Sequence, residues 1–192
     1  MAMTFQDDDP ALIAAALNGS ATAWDRLVRR YEGRVYNYGL RLTGNATDAM
    51  DLMQEVFLGV YRNLHRFRGD ARFTSWLFRI AHNKAIDLAR RKKLLAGHLD
   101  IDDEEQVRMP EAESHYEPDE QLAQQQTNRE VVGFLQSLPM EQRMIVELKF
   151  YQSMTFDEIA QLLDISENTA KTRFYTALRK LKTVMENSHV LS

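Results

Sequence analysis

Cysteine is absent from this chain of 192 residues, which removes disulfides, thiol nucleophiles and zinc ribbons together and leaves the protein indifferent to the redox state of its compartment. No apolar run approaches the roughly 20 residues needed to cross a bilayer. The N-terminus, Met1 to Pro10, is acidic where an export signal is basic and then apolar. A cytoplasmic protein is the expectation. No alternating apolar pattern of useful length occurs, so strands are not expected. Wholesale disorder and a fibrous repeat are both excluded by a composition of 44% hydrophobic and 27% charged residues.

Positive charge is also scarce overall, with a net charge of −4, until it is divided along the chain. From Leu94 to Glu120 ten acidic residues face the single Arg108, a net of −9, so the remainder carries +5. Helical periodicity vanishes in the same stretch, and Pro110 and Pro118 fall within it. Such a segment buries too little apolar surface to fold alone, and 94–121 reads as a flexible acidic linker. Fully extended it reaches about 90 Å at roughly 3.3 Å per residue, more than two turns of DNA. The fold class is all-α, with one small helical domain at 1–93 and another at 122–192.

In the first domain, Asp9-Pro10 has the form of an N-cap followed by proline at the first helical position, and Asn18-Gly19 closes that short helix. Ser20 caps the next, whose stripe of Trp24, Leu27, Val28, Tyr31, Val35, Tyr38 and Leu42 ends at Gly44. A helix from about Thr47 to His65 is expected to bury Met50, Met53, Phe57, Val60, Tyr61 and Leu64. A third begins near Thr74, carries Trp76, Leu77, Ile80, Ala81 and Leu88, and ends in Arg90-Arg91-Lys92-Lys93. In the second domain a helix from Leu122 to Leu138 is punctuated by Pro139, and another continues through Met144, Ile145, Leu148 and Phe150. Thr155-Phe156-Asp157-Glu158 is a capping box opening a helix to Leu163. Asp164-Ile165 makes a tight connection, and Ser166 caps the last helix.

Thr155 to Leu181 therefore reads as a helix-turn-helix. Its second helix holds five basic residues and no acid between Lys171 and Lys182. Lys171, Thr172, Tyr175 and Arg179 share one face, with Glu167 and Asn168 near its start. Such a helix can enter a major groove, Arg173 and Arg179 reaching guanine edges or phosphates and the amides of Ser166 to Asn168 holding a phosphate oxygen. The plainer alternative is a solvated basic face. A second basic block, Arg62 to Lys93, sets ten Lys or Arg against Asp70 and Asp87 and interleaves Phe67, Phe73, Trp76 and Phe78. That pattern suits single strands, whose bases stack on exposed rings, although rings at helical spacing are usually core. A carboxylate group, Asp48, Asp51, Gln54 and Glu55, lies along one helix face and on its own signals solubility. No nucleophile, histidine partner or glycine-rich phosphate cradle stands beside it, and the five histidines lack ligand spacing. Neither an enzyme nor a metal or cofactor protein is expected, and no small-molecule substrate.

These motifs resemble the extracytoplasmic-function sigma factors of bacterial RNA polymerase, over most of the chain. Asp48 to Phe57 (DAMDLMQEVF) is similar to the family's region-two helix that binds the polymerase clamp helices. Phe67 to Asn83 (FRGDARFTSWLFRIAHN) is similar to the segment that melts the upstream edge of the bubble, and Leu138 through Lys182 resembles region four. The resemblance implies a promoter-specificity subunit whose partners are core RNA polymerase, promoter DNA and an anti-sigma protein. It implies polymerase contacts at Asp48, Asp51, Gln54, Glu55 and Phe57. It implies minus-ten contacts at Arg68, Arg72, Phe73, Trp76, Arg79, Asn83 and Lys84, with Asn83 and the Arg68 to Phe73 loop forming a pocket for a flipped base. Minus-thirty-five contacts fall on Ser166, Glu167, Asn168, Lys171, Thr172, Arg173, Tyr175 and Arg179. Asp87 departs from the family pattern, where a neutral or basic residue faces DNA. The linker's charge is that of a nucleic-acid mimic within the polymerase channels. The competing reading is a free-standing helix-turn-helix activator with a sensing or dimerisation module, or a first domain that docks only protein.

Overall fold

The structure is a computed structural model that describes residues 9–96 and 129–190. Most of the expected linker, 97–121, and the expected helical residues 122–128 lie outside the described residues. The chain forms two compact units, one of Met1–Asn37 with Met50–Asp100 and the other of Tyr38–Ala49 with Ile101–Ser192. Among the described residues every regular element is a helix.

The first helix, α1, spans Asp9–Leu17 in the first unit, and α2 spans Ala21–Thr43, its residues from Tyr38 onward counted with the second unit. Ser20 caps α2 as expected, its hydroxyl accepting from the Ala23 amide at 3.2 Å. Asp9 does not act as the expected cap. Its carboxylate turns into the fold, accepting from Arg30 at 2.6 Å and from the Tyr31 hydroxyl, because a guanidinium and a buried phenol offer stronger bonds than a solvated helix end. The α2 stripe is as read, with Leu27, Tyr31 and Val35 buried. Gly44, at φ 70°, terminates α2.

The next helix, α3 (Ala46–Asn63), corrects its expected register. Asn45 caps it, accepting from the Asp48 amide at 3.0 Å. Ala49, Leu52, Val56, Val60 and, beyond the helix end, Leu64 are buried, whereas Met50 and Tyr61 are exposed. The cause is Gly59, which is itself buried. A Cβ there would lie 3.0 Å from Ile80 Cγ2, so α3 meets its neighbour at its smallest residues rather than its bulkiest. A 3-10 turn, Leu64–Arg66, precedes the loop to α4, Phe73–Ala96. Leu77, Phe78, Ala81 and Ala85 are the buried face of α4. The helix continues past the basic run to Ala96, with Arg90 to Leu95 all exposed.

In the second unit, residues 129–136 are helical (α5), and Pro139 leads into α6, Met140–Val146. Val132, Leu135, Leu138, Met144, Ile145 and Leu148 form its core with Ile159, Ala170 and Phe174. Arg143 is buried among them, and its guanidinium donates to the carbonyls of Leu135 (2.8 Å), Gln136 (3.1 Å) and Leu138 (2.9 Å) at the end of α5, and to the Leu42 carbonyl. Where the sequence predicts a continuing helix, the chain winds as a π-turn, Glu147–Tyr151. The wider turn shifts the face presented, and Phe150 stands 60% exposed instead of buried. Glu147 is wholly buried, paired with Arg41 at 2.5 Å and accepting from Gln152 at 3.0 Å.

The helix-turn-helix forms as the sequence predicts. Thr155 and Glu158 complete a reciprocal capping box on α7, Phe156–Leu163. Asp164 takes the left-handed turn at φ 54°. Ser166 caps α8, Glu167–Val190, accepting from the Thr169 amide at 3.0 Å.

Candidate functional site

Three surfaces collect the residues singled out by sequence. On α8, Asn168, Thr172, Tyr175 and Arg179 are exposed and Lys171 is half-exposed, while Ala170, Phe174 and Ala177 turn into the core. Residues 168, 171, 172, 175 and 179 share one face at 3.6 residues per turn. Exposed Ser166 and Glu167 stand at its start. Arg173 lies about a third of a turn from Thr172, on the flank, and bonds Glu141 of α6 at 3.1 Å. Its position suits a phosphate better than a base edge. Lys171 pairs with Glu167 at 2.7 Å. Both pairs are exposed enough to exchange a carboxylate for a phosphate at little cost, exposed pairs contributing about 0–1 kcal/mol.

The second surface is the loop between the 3-10 turn and α4. Beside it lies a cavity of about 450 Å³, walled by Phe67 and Gly69 to Thr74 on one side and by Asp9, Pro10 and Ile13 of α1 on the other. Arg68, Arg72, Arg79 and Asn83 are exposed, and Trp76 is half-buried. Phe73, expected at the DNA, is corrected: it is only 5% exposed. Its ring lies 5.3 Å from Tyr31, 5.5 Å from Phe67 and 5.7 Å from Trp76, so it anchors the loop within an aromatic cluster. Asn83 does not line the cavity. Ten residues of helix beyond Phe73 carry it about 15 Å away, onto the face of Trp76 and Arg79. Asp87, one turn further on, is exposed on that face too.

The third surface is on α3. Asp51, Gln54 and Glu55 line a cleft of about 230 Å³ with Leu58, Lys84, Leu88 and Arg91. Asp48 is half-buried one turn earlier, and half-buried Phe57 lies about a third of a turn round the helix from this face. Lys84, also among the expected minus-ten residues, is half-buried beside the cleft. It reaches α3 and bonds Glu55 at 3.0 Å, which holds the Glu55 carboxyl below the usual carboxylate range.

Beside Asn83, His82 is buried, and desolvation pulls its pKa below the ordinary 6.5. The folded chain therefore refuses a proton that the unfolded chain accepts. Stability is expected to fall progressively as the pH drops below about 6.5. Replacing His82 with leucine should narrow the difference in Tm between about pH 7.5 and pH 5.5; an undiminished difference would assign the acid lability elsewhere.

Two features escaped the sequence reading. One is the α1 wall of the loop cavity. The other is an apolar groove of about 860 Å³ in the second unit, lined by Val131, Phe134, Phe150, Leu178, Leu181 and Met185 among others. Leu178, Leu181 and Met185 at helical spacing were its visible signal.

Two family models match the chain: Sigma-70 region 2 over residues 27–94 and Sigma-70, region 4 over residues 129–181. The RNA polymerase sigma-H factor of Pseudomonas aeruginosa is 28% identical over 178 residues, 91% of this chain and 92% of that protein. The ECF RNA polymerase sigma-E factor of Escherichia coli K12 is 30% identical over 178 residues, 91% of this chain and 93% of the other. Among solved structures, the sigma factor RpoE in complex with the anti-sigma factor NepR from Bartonella quintana aligns with a TM-score of 0.69 at 17% identity, over 84% of this chain and 96% of that one, a likeness of fold. The match of the first unit to region 2 leaves the free-standing activator unfavoured. No helix among the described residues is long and apolar enough to cross a membrane. The chain belongs to the extracytoplasmic-function (ECF) sigma factors of the sigma-70 family, alternative sigma factors that direct promoter-specific transcription.

Proposed function

We propose that this chain is a cytoplasmic, non-enzymatic subunit of RNA polymerase holoenzyme with three separable surfaces. Asp51, Gln54 and Glu55 on α3 meet the core enzyme. The loop at 67–74, with the α4 face of Trp76, Arg79 and Asn83, holds the separated minus-ten strand. The α8 face of Asn168, Lys171, Thr172, Tyr175 and Arg179 reads the minus-thirty-five duplex, with Arg173 on a flanking phosphate. The observation that carries this reading is the exposure of that α8 face on a doubly capped helix-turn-helix. A buried face there would have left nothing to enter a groove. An anti-sigma protein is the expected regulator, as NepR is a partner of the Bartonella quintana relative.

Mixing the protein with core RNA polymerase and a promoter fragment, then probing with permanganate, should reveal reactive thymines in the minus-ten region. Failure to co-elute with core and to open the duplex would reject the proposal. Asp51→Ala combined with Glu55→Ala should weaken core binding at least tenfold with helicity intact, since both carboxylates are partly or fully exposed. Losing the Glu55–Lys84 pair alone is a small effect for so exposed a contact. Lys84→Met therefore serves as the control, and equal losses in the two variants would shift the contact from the carboxylates to the pair.

A further inference from the structure

We infer that Asp9 is a positioning residue for the minus-ten loop, holding α1 as the fixed wall of the cavity that receives an unpaired base. The inference rests on the reading of that loop as a base pocket, and goes beyond it by naming what shapes the pocket from the far side.

The cavity, at about 450 Å³, falls within the roughly 300–1,000 Å³ of small-molecule pockets. Residues 69 to 72 of its loop wall are all exposed, and Gly69 sits at φ 78°. A precise pocket needs a firm opposite wall, which α1 supplies through Asp9, Pro10 and Ile13. This helix has only nine residues, and an isolated helix so short is marginal in water. Its place must come from tertiary contacts. Ile13 is buried, and the Asp9 carboxylate divides its two oxygens between consecutive residues of α2. Oδ1 accepts from the Arg30 guanidinium at 2.6 Å, and Oδ2 accepts from the Tyr31 hydroxyl.

Tyr31 extends the connection to the other wall, since its ring lies 5.3 Å from Phe73 at the root of the loop. Phe73 in turn packs on Phe67 and Trp76. One buried carboxylate thus joins α1 to the aromatic cluster on which the loop is seated. Burial foremost, and then Asp9 itself, push the Tyr31 phenol well above its ordinary pKa, so the hydroxyl remains a donor at any working pH. A purely structural tether would affect stability alone, whereas a positioning role must appear in how the site senses the base.

The test uses holoenzyme assembled from the full chain and core polymerase, on promoter fragments with a preformed bubble in which single abasic sites are scanned through the non-template minus-ten strand. The penalty is the ratio of affinities with and without the base, so a general loss of binding cancels. In the wild type one position should lose about tenfold. In Asp9→Ala and in Tyr31→Phe the same abasic site should cost at most twofold, and Asp9→Asn, which keeps an acceptor for Tyr31, should recover most of the penalty. A tenfold penalty preserved in both altered proteins would overturn the inference and leave the base pocket standing. No penalised position in the wild type would overturn the base pocket, and the inference with it. If Asp9→Ala fails to fold, Tyr31→Phe, which deletes one oxygen from a buried ring, decides the matter alone.

Discussion

Arg143→Ala is expected to lower the unfolding free energy of the second unit by about 3 kcal/mol or more, read as a shift in the urea midpoint followed by circular dichroism. The side chain makes five hydrogen bonds, four to backbone carbonyls and one to the Gln136 side chain at 2.6 Å. Three of those carbonyls belong to Leu135, Gln136 and Leu138 around the end of α5; the Leu135 carbonyl also accepts from the Leu138 amide at 3.1 Å, so the loss falls on the other acceptors. Each buried acceptor left without a donor costs roughly 1–3 kcal/mol, and alanine orphans several at once. Lysine should not rescue the loss. Its ammonium is a compact point charge, and only a planar fork reaches acceptors spread around one centre. A loss below about 1 kcal/mol, the ordinary value for a surface substitution, would show that water replaces the guanidinium and that Arg143 does not organise this core.

Lys171→Ala combined with Arg173→Ala is expected to reduce binding of holoenzyme to a promoter with a minus-thirty-five element by one to two orders of magnitude. It should also flatten the dependence of log K on log salt. Each phosphate contact contributes a slope of about 0.9, so losing two should reduce it by nearly two. The fold should survive, because both positions lie outside the core and alanine favours helix. Tyr175→Ala makes a useful contrast: Tyr175 is 57% exposed on the groove-facing side, so its loss should fall more heavily on the preferred sequence than on random duplex. An unchanged salt slope in the double variant would mean that neither cation touches the DNA backbone. These two side chains would then be counted as partners of Glu167 and Glu141 only.

Features governed by neighbours within a turn were legible in the chain. The Thr155–Glu158 box, the Ser20 and Ser166 caps and the stops at Gly19 and Gly44 depend on side chains and dihedrals three or four residues apart, and all appear where the sequence places them. Features set by distant partners were not. Asp9 has the local form of an N-cap, but its partners lie 21 and 22 residues away. The α3 stripe was read from side-chain bulk, whereas the Ile80 side chain packs directly over Gly59, so the absence of a side chain there marks the buried face. The π-turn that exposes Phe150 has no signature in periodicity. Of the candidate surfaces, the exposure of the α8 face was legible because amphipathic spacing and capping agree. Among the minus-ten candidates, the burial of Phe73, the pairing of Lys84 with Glu55 and the position of Asn83 outside the cavity were not legible, because all follow from how helices pack.

The contact at Gly59 bears on how such a protein can be re-engineered. With α3 and α4 touching where a methyl group would already crowd Ile80, the thickness of that pair acts as a fixed gauge between the carboxylates on one side and Arg79 and Asn83 on the other. On the proposed minus-ten reading, exposed residues of α4 such as Arg79 and Asn83 are the ones to exchange for a change of promoter preference, since they lie outside that contact. A carbon added at Gly59 requires the Ile80 side chain to give by a few tenths of an ångström, so substitution there tests how tightly the pair is gauged.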